Sequence, residues 1–269
     1  MKFCLPTSVA IAGIAGAGVT AAATMTYGVA ARSSQIFGPS VYHGDRRRRS
    51  IALTFDDGPS ERSLELVEYL AGQDIHATFF QCGKNVERHP DIARTIWKMG
   101  HDIGNHTYSH PRLCPRLAWK LDYRLPSFIE QQFSKTQQII EHEVGIRPIL
   151  MRAPYGLRWY GVGAAQKKLG LLGVMWTVIA RDWEWPAQAI ADLVVRKASP
   201  GGIVCLHDGR DIQPNPDISE TLKAVRILVP ALKDAGYVFE TVSSLIRPSF
   251  ASTPFRYSAD GALELCPDA

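Results

Sequence analysis

At 269 residues the chain can bury the core of one α/β domain, and its 30 Lys and Arg against 26 Asp and Glu leave a net charge of only +4. Four of those cations form the run Arg46-Arg47-Arg48-Arg49, and without it the chain is neutral, so charge gives no case for a nucleic-acid partner. Five cysteines, Cys4, Cys82, Cys114, Cys205 and Cys266, are an odd set without C-x-x-C spacing, which excludes a disulfide framework and leaves only an isolated Cys82–Cys114 bridge open.

In chain order, residues 1–31 read as a signal peptide or membrane anchor. Lys2 is a thin basic start, Phe3 to Ala31 carry no charge, and Val9 to Ala23 are mostly Ala, Gly, Ile and Val. An extracytoplasmic domain (secreted, periplasmic or membrane-anchored) is favoured. The heavier positive charge after the segment makes a cytoplasm-facing anchor the alternative. Residues 32–49, rich in Ser, Gly and Arg, read as a basic linker to a catalytic domain over 50–247, with 248–269 as a tail.

Inside the domain short apolar runs alternate with amphipathic ones. Strands are expected over Ser50–Phe55, Ala77–Gln81, Asp102–Asn105, Ile149–Arg152, Gly173–Val178, Gly202–Leu206 and Tyr237–Thr241. Helices are expected over Ser63–Ala71, Asn85–Met99 with Asn85 as N-cap, Ser127–Glu143, Gly161–Leu169, Ala187–Ala198 and Ile218–Ala235. Strands separated by helices imply parallel βαβ units, as an open wound sheet or a barrel, with ligands at the C-terminal strand ends.

The chemistry-bearing residues fall at those ends. The run Ile51-Ala52-Leu53-Thr54-Phe55 finishes in Asp56-Asp57, and adjacent carboxylates at the end of a buried strand call for a compensating cation. His106 and His110 follow the third strand at i and i+4, a spacing that puts two imidazoles on one side of a helical turn, where they converge on a metal. Arg152, Asp182 and His207 follow the fourth, fifth and sixth strands. One Asp and two His can hold an ion with open positions, which leaves the second Asp free as a base.

Taken together, Thr54-Phe55-Asp56-Asp57-Gly58-Pro59, His106-Thr107-Tyr108-Ser109-His110, Arg152-Ala153-Pro154-Tyr155-Gly156, Asp182-Trp183 and Cys205-Leu206-His207-Asp208 resemble the five ordered motifs of the NodB-homology polysaccharide deacetylases, carbohydrate esterase family 4. The resemblance runs from about Ile51 to Leu245 and implies a distorted (β/α)7 barrel. It also implies a divalent metal, Zn with Co or Ni as substitutes, on Asp57, His106 and His110, with Asp56 as general base and His207 as general acid. Asp182 would tune His207, Arg152 would pair with the base, and the Tyr155 backbone N–H would be an oxyanion donor. Trp183 would form an aromatic wall for the substrate, with Trp159, Tyr160 and Trp185 as further candidates.

The implied reaction is removal of N-acetyl groups from amino sugars of a chitin-like glycan or peptidoglycan. The alternatives are O-acetyl ester cleavage on a xylan-like glycan, hydrolysis of a small amide, and a non-catalytic glycan-binding relative. The chain departs from the pattern twice. Ile179 stands where a further Asp is usual, three residues before Asp182, and Cys205 replaces a Leu that lines the acyl pocket.

Overall fold

Alternation along the first long strand sets the architecture. In β2 (Ser50–Asp56), Ile51, Leu53 and Phe55 join the core that packs under the helices, whereas Ala52, Thr54 and Asp56 face the inside of the curved sheet. Burying each such large apolar side chain stabilises the fold by roughly 1.5–3 kcal/mol. The inward triplet instead passes, within one strand, from an apolar contact at Ala52 to a carboxylate at Asp56. The computed structural model describes residues 20–115, 125–250, 255–257 and 263–265.

A helix over residues 20–30 (α1) and a short strand β1 (Ser40–Val41) precede β2. There follow α2 (Ser63–Gly72), β3 (Thr78–Gln81), α3 (Gly83–Arg88), α4 (Pro90–Lys98), β4 (Asp102–Asn105), α5 (Leu125–Val144) and β5 (Leu150–Met151). The second half comprises α6 (Val162–Leu169), β6 (Leu172–Val174), β7 (Val178–Ile179), α7 (Ala187–Lys197), β8 (Gly202–His207), α8 (Ser219–Asp234), β9 (Val238–Phe239) and α9 (Val242–Phe250). Two more strands, β10 (Phe255–Tyr257) and β11 (Leu263–Leu265), pair antiparallel.

The large sheet is wholly parallel, ordered β1-β6-β5-β4-β3-β2-β8-β7, with β9 on the start of β2. One chain segment, Leu172–Ile179, touches both ends of this order. Its first half pairs with β5 and β1, and its second half pairs with β8. Between them the Met175 N–H donates to the Val41 carbonyl at 2.7 Å and the Thr177 N–H to that of Ile203 at 2.9 Å. The sheet therefore closes, and the fold is the expected distorted (β/α)7 barrel. The expected strand Gly173–Val178 is two strands, β6 and β7, because its halves serve neighbours on opposite sides of the ring.

Three further expectations are corrected. The helix expected over Asn85–Met99 breaks at His89, since Pro90 lacks the N–H that an uninterrupted helix would need and instead opens α4. Asn85 consequently lies inside α3 rather than capping it. The stretch 32–49 is not a free linker: β1 pairs with β6, Arg48 pairs with Glu240, and Arg49 lies 5.0 Å from the centre of the Tyr237 ring. Cys82 and Cys114 are buried free thiols. Most of the expected signal or anchor, Cys4 and Cys266 lie outside the described residues. Among the described residues no helix is long and apolar enough to cross a membrane.

One end of the barrel is shut by α9, whose Val242, Leu245 and Ile246 cluster with Ala52, Phe80 and Ile203. The candidate site residues occupy the other end, where β2 and β8 finish in Asp56 and His207.

Candidate active site and metal centre

Asp57 follows β2 in a left-handed conformation (φ 72), which turns its side chain toward the loop after β4. Its Oδ1 lies 3.3 Å from His106 Nε2 and 3.1 Å from His110 Nε2, and all three side chains are buried. The expected helical turn between the two histidines is absent. Thr107 and His110 have positive φ (68 and 52), and Pro111 disfavours helical backbone at His110. The loop is held from outside. Asn105 Oδ1 accepts the Thr107 N–H, and Gln132 Oε1 from α5 accepts the N–H groups of Tyr108 and Ser109.

Each imidazole is oriented through its other nitrogen. His106 Nδ1 is 2.7 Å from the Arg152 carbonyl, an acceptor only, so Nδ1 carries the proton and Nε2 presents a lone pair. His110 Nδ1 abuts the Asp211 carboxylate, and Asp211 N–H donates to Asp57 Oδ2 at 2.9 Å. Asn85 ties this loop to the strand end by donating to the carbonyls of Asp57 (2.6 Å) and Asp211 (2.9 Å). Asp57 Oδ1 is left as a buried acceptor without a hydrogen-bond donor, facing two lone pairs. A carboxylate and two imidazoles so arranged repel one another unless a cation lies between them, and this is a donor set that fits a divalent transition ion. Burial resists ionisation of Asp57, but positive charge facing it, on the His106, His110 and His207 rings when they are protonated, outweighs burial and holds the carboxyl well below the usual range.

Asp56 sits beside this centre. Its Oδ1 accepts from Arg152 at 2.6 Å, and its Oδ2 accepts from the Cys205 thiol at 3.5 Å and lies 3.9 Å from His106 Nε2. Arg152 is fully buried inside the barrel. It also donates to Thr54 Oγ1 (2.7 Å) and the Val174 carbonyl (3.1 Å), and lies over the Phe80 ring at 4.2 Å. A buried guanidinium needs such partners, because breaking a buried ion pair costs about 3–5 kcal/mol.

The sheet register places His207 directly across from Asp56. Its Nδ1 donates to Asp182 Oδ1 at 2.8 Å, and its backbone N–H donates to Asp182 Oδ2 at 2.8 Å. Thr221 of α8 donates to the same Oδ2 at 2.7 Å, so the carboxylate is buried, fixed and ionised. Burial opposes charge on the His207 ring, yet Asp182, Asp57 and Asp56 together outweigh burial and raise the His207 pKa to about 9. The ring lines the pocket and its surroundings favour the protonated form.

Asp56, Asp57, His106, His110, Cys205 and His207 line an opening of about 750 Å³ with Tyr155, Trp176, Ile179, Trp183, Arg210 and Asp211. Trp183, about half exposed, meets His207 edge-on at 5.2 Å, and exposed Tyr155 (φ 59) forms another wall, its hydroxyl 3.3 Å from Asp211. Cys205 and Ile179 lie side by side in the register between β7 and β8. Trp159 does not reach the opening: it is buried against Phe37. Tyr160 is exposed and Trp185 packs on the main core, both away from the lining.

Sequence reasoning missed Asp211, Asn85, Gln132 and Trp176, each brought in by tertiary folding. It also gave no role to Asp208, a buried carboxyl bonded to Ser63 Oγ at 2.5 Å. Burial, with Asp57 and Asp56 nearby, raises its pKa to about 7. Asp208 packs against Gly58 so closely that any side chain there would overlap it, and Gly209 packs as tightly on the backbone of Asp57. The loops after β2 and β8 thus contact each other through glycines on both sides.

Comparison with known proteins gives a consistent set. Residues 43–174 match the family described as polysaccharide deacetylase. The chain is 36% identical over 204 residues to the chitooligosaccharide deacetylase of Azorhizobium caulinodans, covering 72% of this chain and 93% of that one. The crystal structure of the Bc1960 peptidoglycan N-acetylglucosamine deacetylase aligns with a TM-score of 0.68 at 30% identity, covering 77% of this chain and 92% of that one. A carbohydrate esterase family 4 pseudoenzyme from Bacillus anthracis aligns at 0.67 and 26% identity, covering 78% and 70%.

Proposed function

The chain belongs to the polysaccharide deacetylase family, and from that premise we propose that it removes N-acetyl groups from amino sugars of a chitin-like glycan or peptidoglycan, with Zn²⁺ held by Asp57, His106 and His110. The observation that carries this reading is the placement of Asp56 and His207 across from each other in the strand register, beside that donor set and on one opening. A base and an acid flanking a cation site are what amide hydrolysis by water needs. The pseudoenzyme relative makes a non-catalytic reading concrete, but Asp56, Asp57, His106, His110 and His207 are all present and assembled here.

When bound, the divalent ion supplies Lewis-acid polarisation of the attacking water and the acyl carbonyl. The chain's own residues do the rest. Asp56 takes the proton of the attacking water through Oδ2, while Arg152 fixes Oδ1 and the carboxylate's orientation. The Tyr155 N–H meets the oxygen that gains charge as the carbonyl becomes tetrahedral. His207 gives its Nε2 proton to the departing amine, which leaves poorly as an anion, and Asp182 stabilises the charged ring before the transfer. The acyl methyl lies against Cys205, Ile179 and Trp176, and sugar rings lie on Trp183 and Tyr155.

Two measurements test the reading. Acetate release from chitooligosaccharides and peptidoglycan should vanish on chelation and return with Zn²⁺ or Co²⁺; full activity in metal-free protein would refute the metal chemistry. Asp56→Asn should retain metal and lose turnover by about 10²–10⁴-fold. A variant with wild-type kcat would remove Asp56 as the base.

A further inference from the structure

Asp56, Cys205 and His207 form a second donor set that shares no residue with the first. One ligand atom from each, a carboxylate oxygen, the thiol sulfur and a ring nitrogen, lie within 4.8 Å of one another. The strand register creates the set. On β2 and β8, Thr54 is opposite Cys205 and Asp56 is opposite His207, and because side chains alternate, Cys205, His207 and Asp56 occupy one face of the sheet.

The remaining atoms of the two bidentate groups are already engaged elsewhere. Asp56 Oδ1 is taken by Arg152 at 2.6 Å, which leaves Oδ2 toward the sulfur at 3.5 Å. His207 Nδ1 is taken by Asp182 at 2.8 Å, which leaves Nε2. All three residues line the same opening, so a fourth position is accessible to solvent.

We propose that Asp56, Cys205 and His207 constitute a second, inhibitory site for a thiophilic divalent ion such as Zn²⁺ in excess or Cd²⁺. A sulfur, nitrogen and oxygen triad selects soft and borderline ions over Mg²⁺ and Ca²⁺. Binding exchanges protons for the ion: the thiol proton of Cys205 and the Nε2 proton of His207 leave to solvent as the dication arrives, so the net charge of the opening is unchanged. The ion then occupies both Asp56 Oδ2 and His207 Nε2 while Asp57, His106 and His110 keep theirs. Inhibition rests on the proposed proton-transfer roles of Asp56 and His207, whereas binding does not.

The experiment titrates the full chain, loaded with one equivalent of Zn²⁺, with Cd²⁺ while following retained zinc, the ultraviolet thiolate-to-cadmium charge-transfer band and acetate release. A second equivalent should bind with the band, zinc should stay, and activity should fall with the same midpoint. In Cys205→Ala the band should disappear and inhibition, measured against the variant's own uninhibited rate, should weaken by more than about tenfold. Cys205→Ser, closer in volume, repeats the measurement if the Ala variant does not fold. Binding that stops at one equivalent, or a band that persists in Cys205→Ala, overturns the site. A band without loss of activity overturns its inhibitory role and points to a fault in the acid and base assignment, not in the site.

Discussion

Two imidazole–carboxylate pairs, His110 with Asp211 and His207 with Asp182, bring their rings to one opening in different surroundings. In both, Nδ1 faces the carboxylate and Nε2 faces the site. What separates them is the surrounding structure. His110 Nε2 is 3.1 Å from a buried, donor-free oxygen of Asp57, with the His106 ring alongside, which is an environment for a lone pair. His207 Nε2 opens toward the pocket over a carboxylate that is fully buried and fixed by Thr221 and a backbone N–H, an environment for a proton. A His–Asp contact therefore carries no function of its own, and the atom facing the second nitrogen decides it.

The comparison can be broken most severely on the metal side. His106→Ala should lose the ion and reduce acetate release to background, as read by metal content and rate together; bound metal with wild-type rate would dissolve the distinction. On the proton side, His207→Ala should keep its metal and lose about 10²–10⁴-fold in kcat. Equal loss of metal in both variants would mean that the two halves are one site.

Smaller changes sharpen the contrast by leaving the rings in place. Asp211→Ala should weaken metal affinity by about 10–100-fold and be rescued by added metal, because it only orients His110. Asp182→Asn should leave metal affinity alone and move the pH profile instead. His207 must be protonated to act, so activity falls as pH rises through its pKa, at or below about 9 because a bound cation opposes the ring's charge. Without the Asp182 charge, burial still disfavours the cation and that alkaline limb shifts to lower pH. An unmoved limb would remove His207 as the titrating acid.

Much of this was legible in the sequence because it is written in local pattern. The alternation of Ile51, Leu53 and Phe55 marks a strand, and residue types at successive strand ends bring Asp57, His106, His110, Arg152, Asp182 and His207 to one rim. Other features have no local signature. Asp211 and Asn85 act across loops distant in sequence, and nothing in their neighbours distinguishes them from surface polar residues. The turn at His106–His110 is set by outside acceptors on Asn105 and Gln132, so spacing alone suggested a helix that does not form. The division of Leu172–Ile179 follows from barrel closure, a property of the whole ring rather than of those eight residues.

The glycine contacts between the strand-end loops have a consequence for anyone who would rebuild this protein. With Gly58 seated on Asp208 and Gly209 seated on Asp57, the two loops fit like a dovetail, each cut to the other's shape. Neither can be exchanged for a loop of different outline without recutting its mate. Transplanting the Asp57-bearing loop into another barrel therefore means carrying the His207-bearing loop with it, and any portable version of this site has to contain the joint.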